Sequence, residues 1–204
     1  MKNIIYFSGT HGVGKTSLIS ELLKSSKISF LIYDNENPDH HNPYKEDIYK
    51  RQYWRLEKYI DDAMKIFEMK NFLKEENKIL LVDRCIWDHY CYTLTFKSLQ
   101  WINSEEYTSI LKQYNTHFPD KLLPENIIFI FPEISWTKDR IIERWNKEKV
   151  KWNEGDFRYL EKLRENYEKQ YQFLEENSNI NLLTLKEVNI KKRVEIIYNH
   201  LELI

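Results

Sequence analysis

The chain contains only four glycines, and three of them, Gly9, Gly12 and Gly14, fall within six residues of one another. They belong to the run Gly9-Thr10-His11-Gly12-Val13-Gly14-Lys15-Thr16, which matches the phosphate-loop pattern G-x-x-x-x-G-K-[ST] in full. A loop that wraps a phosphate chain must aim successive backbone N–H groups inward, and glycine permits both the angles and the close approach. An apolar run, Asn3 to Ser8, precedes the loop as a buried strand would. A helical pattern follows, with Leu18, Ile19, Leu22 and Leu23 on one side. The positive end of that helix favours an anion. Lys15 is placed to reach the β- and γ-phosphates and the Thr16 hydroxyl to ligate Mg²⁺. Residues Gly9, Thr10, His11, Gly12, Val13, Gly14, Lys15, Thr16 and Ser17 are therefore expected to bind a nucleoside triphosphate.

The rest of the chain supplies the frame that such a loop needs. Apolar runs at 29–33, 78–83, 126–131 and 181–185 read as four further buried strands. Helical patterns separate them. Tyr49, Tyr53, Leu56, Ile60, Ala63 and Phe67 step by three and four, which predicts a long helix with one apolar stripe. Residues 86–117 read as mainly helical, 134–177 as charged helix interrupted near Gly155, and 190–203 as the last helix. Strands alternating with helices predict an α/β fold: a five-stranded parallel sheet with helices on both faces. No linker divides the 204 residues, so one domain is expected, with a basic lid segment at about 138–156.

Composition excludes several classes. Aromatic residues reach 15%, which is incompatible with disorder. Lys plus Arg number 31 and Asp plus Glu 32, a balance that gives no global field for nucleic acid or an anionic membrane. No apolar run is long enough to span a bilayer, and the N-terminal run lacks a small-residue cleavage site. Cys85 and Cys91 have neither zinc-site spacing nor disulfide density and read as small buried hydrophobes. A cytoplasmic location is expected, with a homodimer left open.

What the triphosphate is used for is written in fewer residues. The third strand ends in Asp83-Arg84, where a hydrolytic ATPase commonly has a second acid to polarise water. Arg84 is a poor water activator and a good bidentate holder of phosphate. Asp83, at the C-terminal edge of a parallel sheet, faces the crevice where ligands bind. There it can hold Mg²⁺ or accept a proton. No N-K-x-D guanine box follows a strand. The stretch 138–152 sets Lys138, Arg140, Arg144, Lys147, Lys149 and Lys151 against Asp139, Glu143 and Glu148. Arg140 and Arg144, four apart, share a helical face. Phosphoryl transfer needs cations over the migrating group and a lid that excludes water. Arg51 and Arg55 on the long helix are placed to flank an acceptor, though a solvated face explains them as well. Trp54, Trp87, Tyr90 and Tyr92 can stack on a base or simply fill the core. His11 inside the loop and the pair His40-His41 carry no assigned role.

These residues resemble the thymidylate kinase and deoxynucleoside kinase group of P-loop kinases. Asp83-Arg84 is similar to the Asp-Arg pair of thymidylate kinases, whose Arg holds the acceptor's phosphate, where deoxynucleoside kinases carry Glu-Arg-Ser. Glu36-Asn37-Pro38 is similar to the Glu-Pro after the second strand of both groups, with one residue inserted. In deoxynucleoside kinases that Glu is the base for the sugar hydroxyl. Pro132-Glu133 with Arg140 to Arg144 resembles the lid entry, and Tyr159 to Arg164, with Tyr167 beyond, the helix after the lid. The Thr-His dipeptide, with Asp83-Arg84, Asp88 and Tyr92, also resembles a looser group of P-loop proteins of the nicotinamide-riboside-kinase and AAA-ATPase type. The resemblance implies an ATP- and Mg²⁺-dependent kinase. Lys15, Asp83, Arg84, Arg140 and Arg144 would do the chemistry, Thr16 and Asp83 would hold the metal, and Glu36, Arg55 and Arg84 would bind the acceptor. The leading expectation is a thymidylate-kinase-like enzyme converting dTMP to dTDP. The alternatives are phosphorylation of a nucleoside 5′-hydroxyl and an ATPase acting on a partner.

Overall fold

The computed structural model describes residues 3–26, 28–33, 41–117, 119–147 and 155–202. Five strands, β1 (Ile4–Ser8), β2 (Phe30–Tyr33), β3 (Ile79–Asp83), β4 (Asn126–Ile130) and β5 (Asn181–Leu185), form one parallel sheet in the order β2-β3-β1-β4-β5. Each lies within one residue of the apolar run that predicts it, because a strand covered on both faces needs no polar alternation.

Side chains alternate across the sheet and supply two cores. Ile5 and Phe7 face α1 (Lys15–Leu22) and α8 (Ile190–Leu201), packing with Leu18, Leu22 and Ile197. Ile4 and Tyr6 face the other side, with Leu56 and Ile66 from α2 (Ile48–Glu68) and Leu73 from the short α3 (Lys70–Glu75). On that face α4 (Ile86–Ser98), α5 (Ser104–His117) and α7 (Phe157–Asn177) pack alongside α2. The sixth helix, α6 (Ile134–Lys147), follows β4. The chain leaves β1 toward β2 and leaves β3 toward β4, in opposite directions along the sheet. A crevice therefore opens outside the C-terminal ends of β1 and β3.

The long helix departs from its expected stripe. Leu56 and Ala63 are buried, but Phe67 is 37% exposed and lies under Lys70 and Lys121. The helix instead buries Arg51 and Gln52 at its N-terminal end, so the solvated-face reading fails for Arg51. The reason is local: this end of α2 packs against a polar patch of α4, where Gln52 Nε2 donates to Thr93 Oγ1 at 3.2 Å. Among the described residues, no helix is long and apolar enough to cross a membrane.

Candidate active site

Three glycines set the loop between β1 and α1. Gly9, Gly12 and Gly14 have φ of 141°, 76° and 88°. At Gly9 the requirement is absolute, since a Cβ would sit 2.6 Å from the Ile130 carbonyl oxygen as well as in a left-handed conformation. Lys15 opens α1, and its ammonium donates to the Gly9 and Thr10 carbonyls at 2.8 and 3.0 Å. Arg193 of α8, missed in the sequence, braces the loop from outside by donating to the Val13 carbonyl at 2.8 Å. Burial, and then neighbouring Arg140, pulls the Arg193 pKa down to about 10, still cationic at neutral pH.

The residues expected to act together converge on one cleft of about 300 Å³. Its walls are the loop from His11 to Ser17, Asp83 and Arg84 from the end of β3, and Arg140 and Arg144 from α6. Thr16 Oγ1 donates to Asp83 Oδ2 at 3.4 Å, which sets two hard oxygen donors side by side at the cleft. Arg84 sits in a left-handed conformation, φ 73°, which costs a residue with a Cβ about 1–2 kcal/mol. Its backbone N–H donates to the Phe7 carbonyl at 2.8 Å, and its guanidinium donates to the Gly9 carbonyl and to Asp88 Oδ1, both at 3.3 Å. The Tyr92 ring lies 5.3 Å from that guanidinium, so this aromatic is a wall beside Arg84. His11 Nε2 lies 3.2 Å from the Tyr159 hydroxyl and 3.3 Å from that of Tyr92.

Arg55 lies outside the lining of that cleft. Its guanidinium donates to Gln52 Oε1 at 3.2 Å, beside the buried His89. Trp54, Trp87 and Tyr90 also lie outside the lining; Trp87 and Tyr90 pack edge to face, while Lys58 lies over Trp54. Glu36, Asn37, Pro38, Asp39 and His40, and the lid residues Glu148, Lys149 and Lys151, lie outside the described residues.

His89, which was not singled out in the sequence, is buried among α2, α4 and α5. Nε2 faces the Gln52 carbonyl at 2.9 Å, which only accepts, so Nε2 carries the proton and Nδ1 accepts from the Tyr114 hydroxyl. Burial, partly opposed by the Gln52 carbonyl and reinforced by Arg55, lowers its pKa from 6.5 to about 3. The unfolded chain therefore binds a proton that the folded chain refuses between those two values. His89 stabilises the fold fully above pH 6.5, and that contribution is lost as pH falls toward 3, about 2 kcal/mol by pH 5. Urea midpoints at pH 7.5 and 5 for the parent and for His89→Gln should differ, with a markedly shallower acid slope in the variant.

A parallel sheet with a phosphate loop at its centre and paired arginines on the following helix defines a P-loop phosphotransferase fold. The comparisons narrow this class. The deoxynucleoside kinase family model matches residues 5–203. Among solved structures, the deoxyadenosine kinase of M. mycoides with bound dATP superimposes with a TM-score of 0.72 at 19% identity, covering 98% of this chain and 99% of that one. The same enzyme with bound dCTP gives 0.66 at 21% identity, covering 98% and 100%. No curated protein matches the chain. The chain belongs to the deoxynucleoside kinase family and is a kinase. This corrects the thymidylate-kinase-like expectation, which rests on Asp83 standing where the family carries Glu. A carboxylate one methylene shorter keeps the same charge and the same two oxygen donors, so that difference separates the two groups poorly.

Proposed function

We propose that this protein transfers the γ-phosphoryl group of ATP to the 5′-hydroxyl of a deoxynucleoside. The observation that carries the reading is the family match across residues 5–203. The M. mycoides neighbours add the acceptors to assay first, deoxyadenosine and deoxycytidine.

Catalysis would be positioning plus charge neutralisation. The loop amides from Gly9 to Ser17 and Lys15 hold the triphosphate, and Arg140 and Arg144 neutralise the migrating group from α6. Asp83 and Thr16, adjacent at the cleft, form an oxygen donor set suited to Mg²⁺. When bound, that ion would neutralise charge on the β- and γ-oxygens. The acceptor oxygen bonds to the γ-phosphorus as the bond to the β,γ-bridging oxygen breaks and ADP leaves. The hydroxyl proton passes to the Glu36 carboxylate, the role that the family resemblance gives it. Arg84 bears on the migrating group and not on an acceptor phosphate.

A panel of nucleosides and monophosphates with ATP, read as ADP release, tests the reading. Deoxynucleosides should raise release well above the water background. A response to dTMP alone would restore the monophosphate reading, and no response to any acceptor would favour an ATPase acting on a partner.

A further inference from the structure

We propose that Asp88 is a positioning residue that fixes Arg84 against the phosphate loop, an inference that rests on the kinase reading. Asp88 is wholly buried on the first turn of α4. Its Oδ2 accepts from the Cys85 N–H at 2.8 Å, an ordinary helix cap. Capping accounts for that oxygen alone, and a cap requires neither burial nor a full charge.

The other oxygen does something different. Oδ1 accepts from the Gly9 N–H at 3.3 Å, from the Arg84 guanidinium at 3.3 Å and from the Tyr167 hydroxyl at 2.7 Å. Those donors come from the start of the phosphate loop, the end of β3 and α7. Burial, and then the charge of Asp88, pushes the Tyr167 pKa well up, so its hydroxyl keeps the proton that it donates. With four donors and no exposure, the carboxylate has no oxygen left for a substrate. It acts through Arg84.

Gly9 shows what this accomplishes. Its N–H is held by Asp88, while its carbonyl accepts from both Lys15 and Arg84. When Lys15 turns toward a bound phosphate, Asp88 and Arg84 still hold the peptides on either side of Gly9. The loop keeps its shape, and Arg84 stays aimed at the cleft with its charge balanced.

Steady-state kinetics of Asp88→Asn, Arg84→Ala and the double variant, with unfolding midpoints, test this as a double-mutant cycle. Asp88→Asn should lower kcat about tenfold with both KM values within about threefold, and should cost less than about twofold in the Arg84→Ala background. A purely structural Asp88 would cost the same factor in both backgrounds, and that result overturns the proposal. If Asp88→Asn does not fold, Tyr167→Phe decides, since it removes one donor and keeps the ring. Its loss of kcat, about threefold, should vanish when Arg84 is already Ala, and a persistent loss overturns the proposal. Absence of acceptor-dependent ADP release from the parent enzyme overturns the kinase reading and this inference with it. Release with additive losses overturns this inference alone.

Discussion

Lys15→Ala should lower kcat by about 10²-fold or more, because the variant removes a cation aimed at charge that develops in the transition state. The two hydrogen bonds that its ammonium gives to the Gly9 and Thr10 carbonyls are a smaller matter. Both bonds are buried, but the Gly9 carbonyl keeps the Arg84 donor, so the loss falls mainly on the Thr10 carbonyl. The unfolding midpoint without ligand should therefore fall by only a few degrees, about 1–2 kcal/mol for two neutral carbonyl contacts. ATP should stabilise the parent strongly and the variant weakly in the same thermal scan. Near-normal turnover in Lys15→Ala would remove the phosphate-loop mechanism.

The parts of this site that were legible in the sequence are those encoded locally. A glycine loop between a strand and a helix must bind by its backbone, so Gly9 to Ser17 could be read directly. Asp83 and Arg84 could be read because they end an apolar strand, and sheet topology fixes where strand ends lie. Arg140 and Arg144 were legible as a four-residue pair on a charged helix, and the structure turns that face to the loop. What could not be read depends on contacts between distant segments. Asp88 has the signature of a helix cap and nothing more, and its second oxygen acquires meaning only when Tyr167 arrives from α7. Tyr159, Tyr167 and Tyr171 carry such information jointly: their hydroxyls meet His11, Asp88 and Ser8. In the sequence they are three apolar-face aromatics at spacings of eight and four. A solvated face explains Arg51 and Arg55 in the sequence because polar residues on an amphipathic helix usually form one. Arg51 is buried all the same, next to Gln52, whose side chain donates to Thr93 on α4, a partner that periodicity does not encode.

The choice between acceptor classes is decided by a second pair of substitutions, Arg84→Ala and Glu36→Gln. A nucleoside brings no phosphate for Arg84 to grip. Replacing Arg84 should then lower kcat by about 10- to 100-fold while leaving the acceptor KM within about twofold, since the guanidinium acts only on the migrating group. A monophosphate acceptor would give the opposite pattern, because a dianion that loses a bidentate cation costs about 2–4 kcal/mol in acceptor kcat/KM. The ATP KM should move little in either case, held by Lys15 and the loop amides. Glu36→Gln makes the complementary cut. A sugar hydroxyl must lose a proton as it attacks, whereas a phosphate acceptor is already anionic. The amide cannot take that proton, so kcat for a deoxynucleoside should fall by about 10²-fold or more with the acceptor KM little changed. The residual activity should also lose its dependence on a carboxylate ionisation at acid pH. Normal turnover in Glu36→Gln would pass the role of base to Asp83, the acid of the Asp83-Arg84 pair. A large kcat loss in Glu36→Gln together with an unchanged acceptor KM in Arg84→Ala fits only a kinase that phosphorylates a hydroxyl.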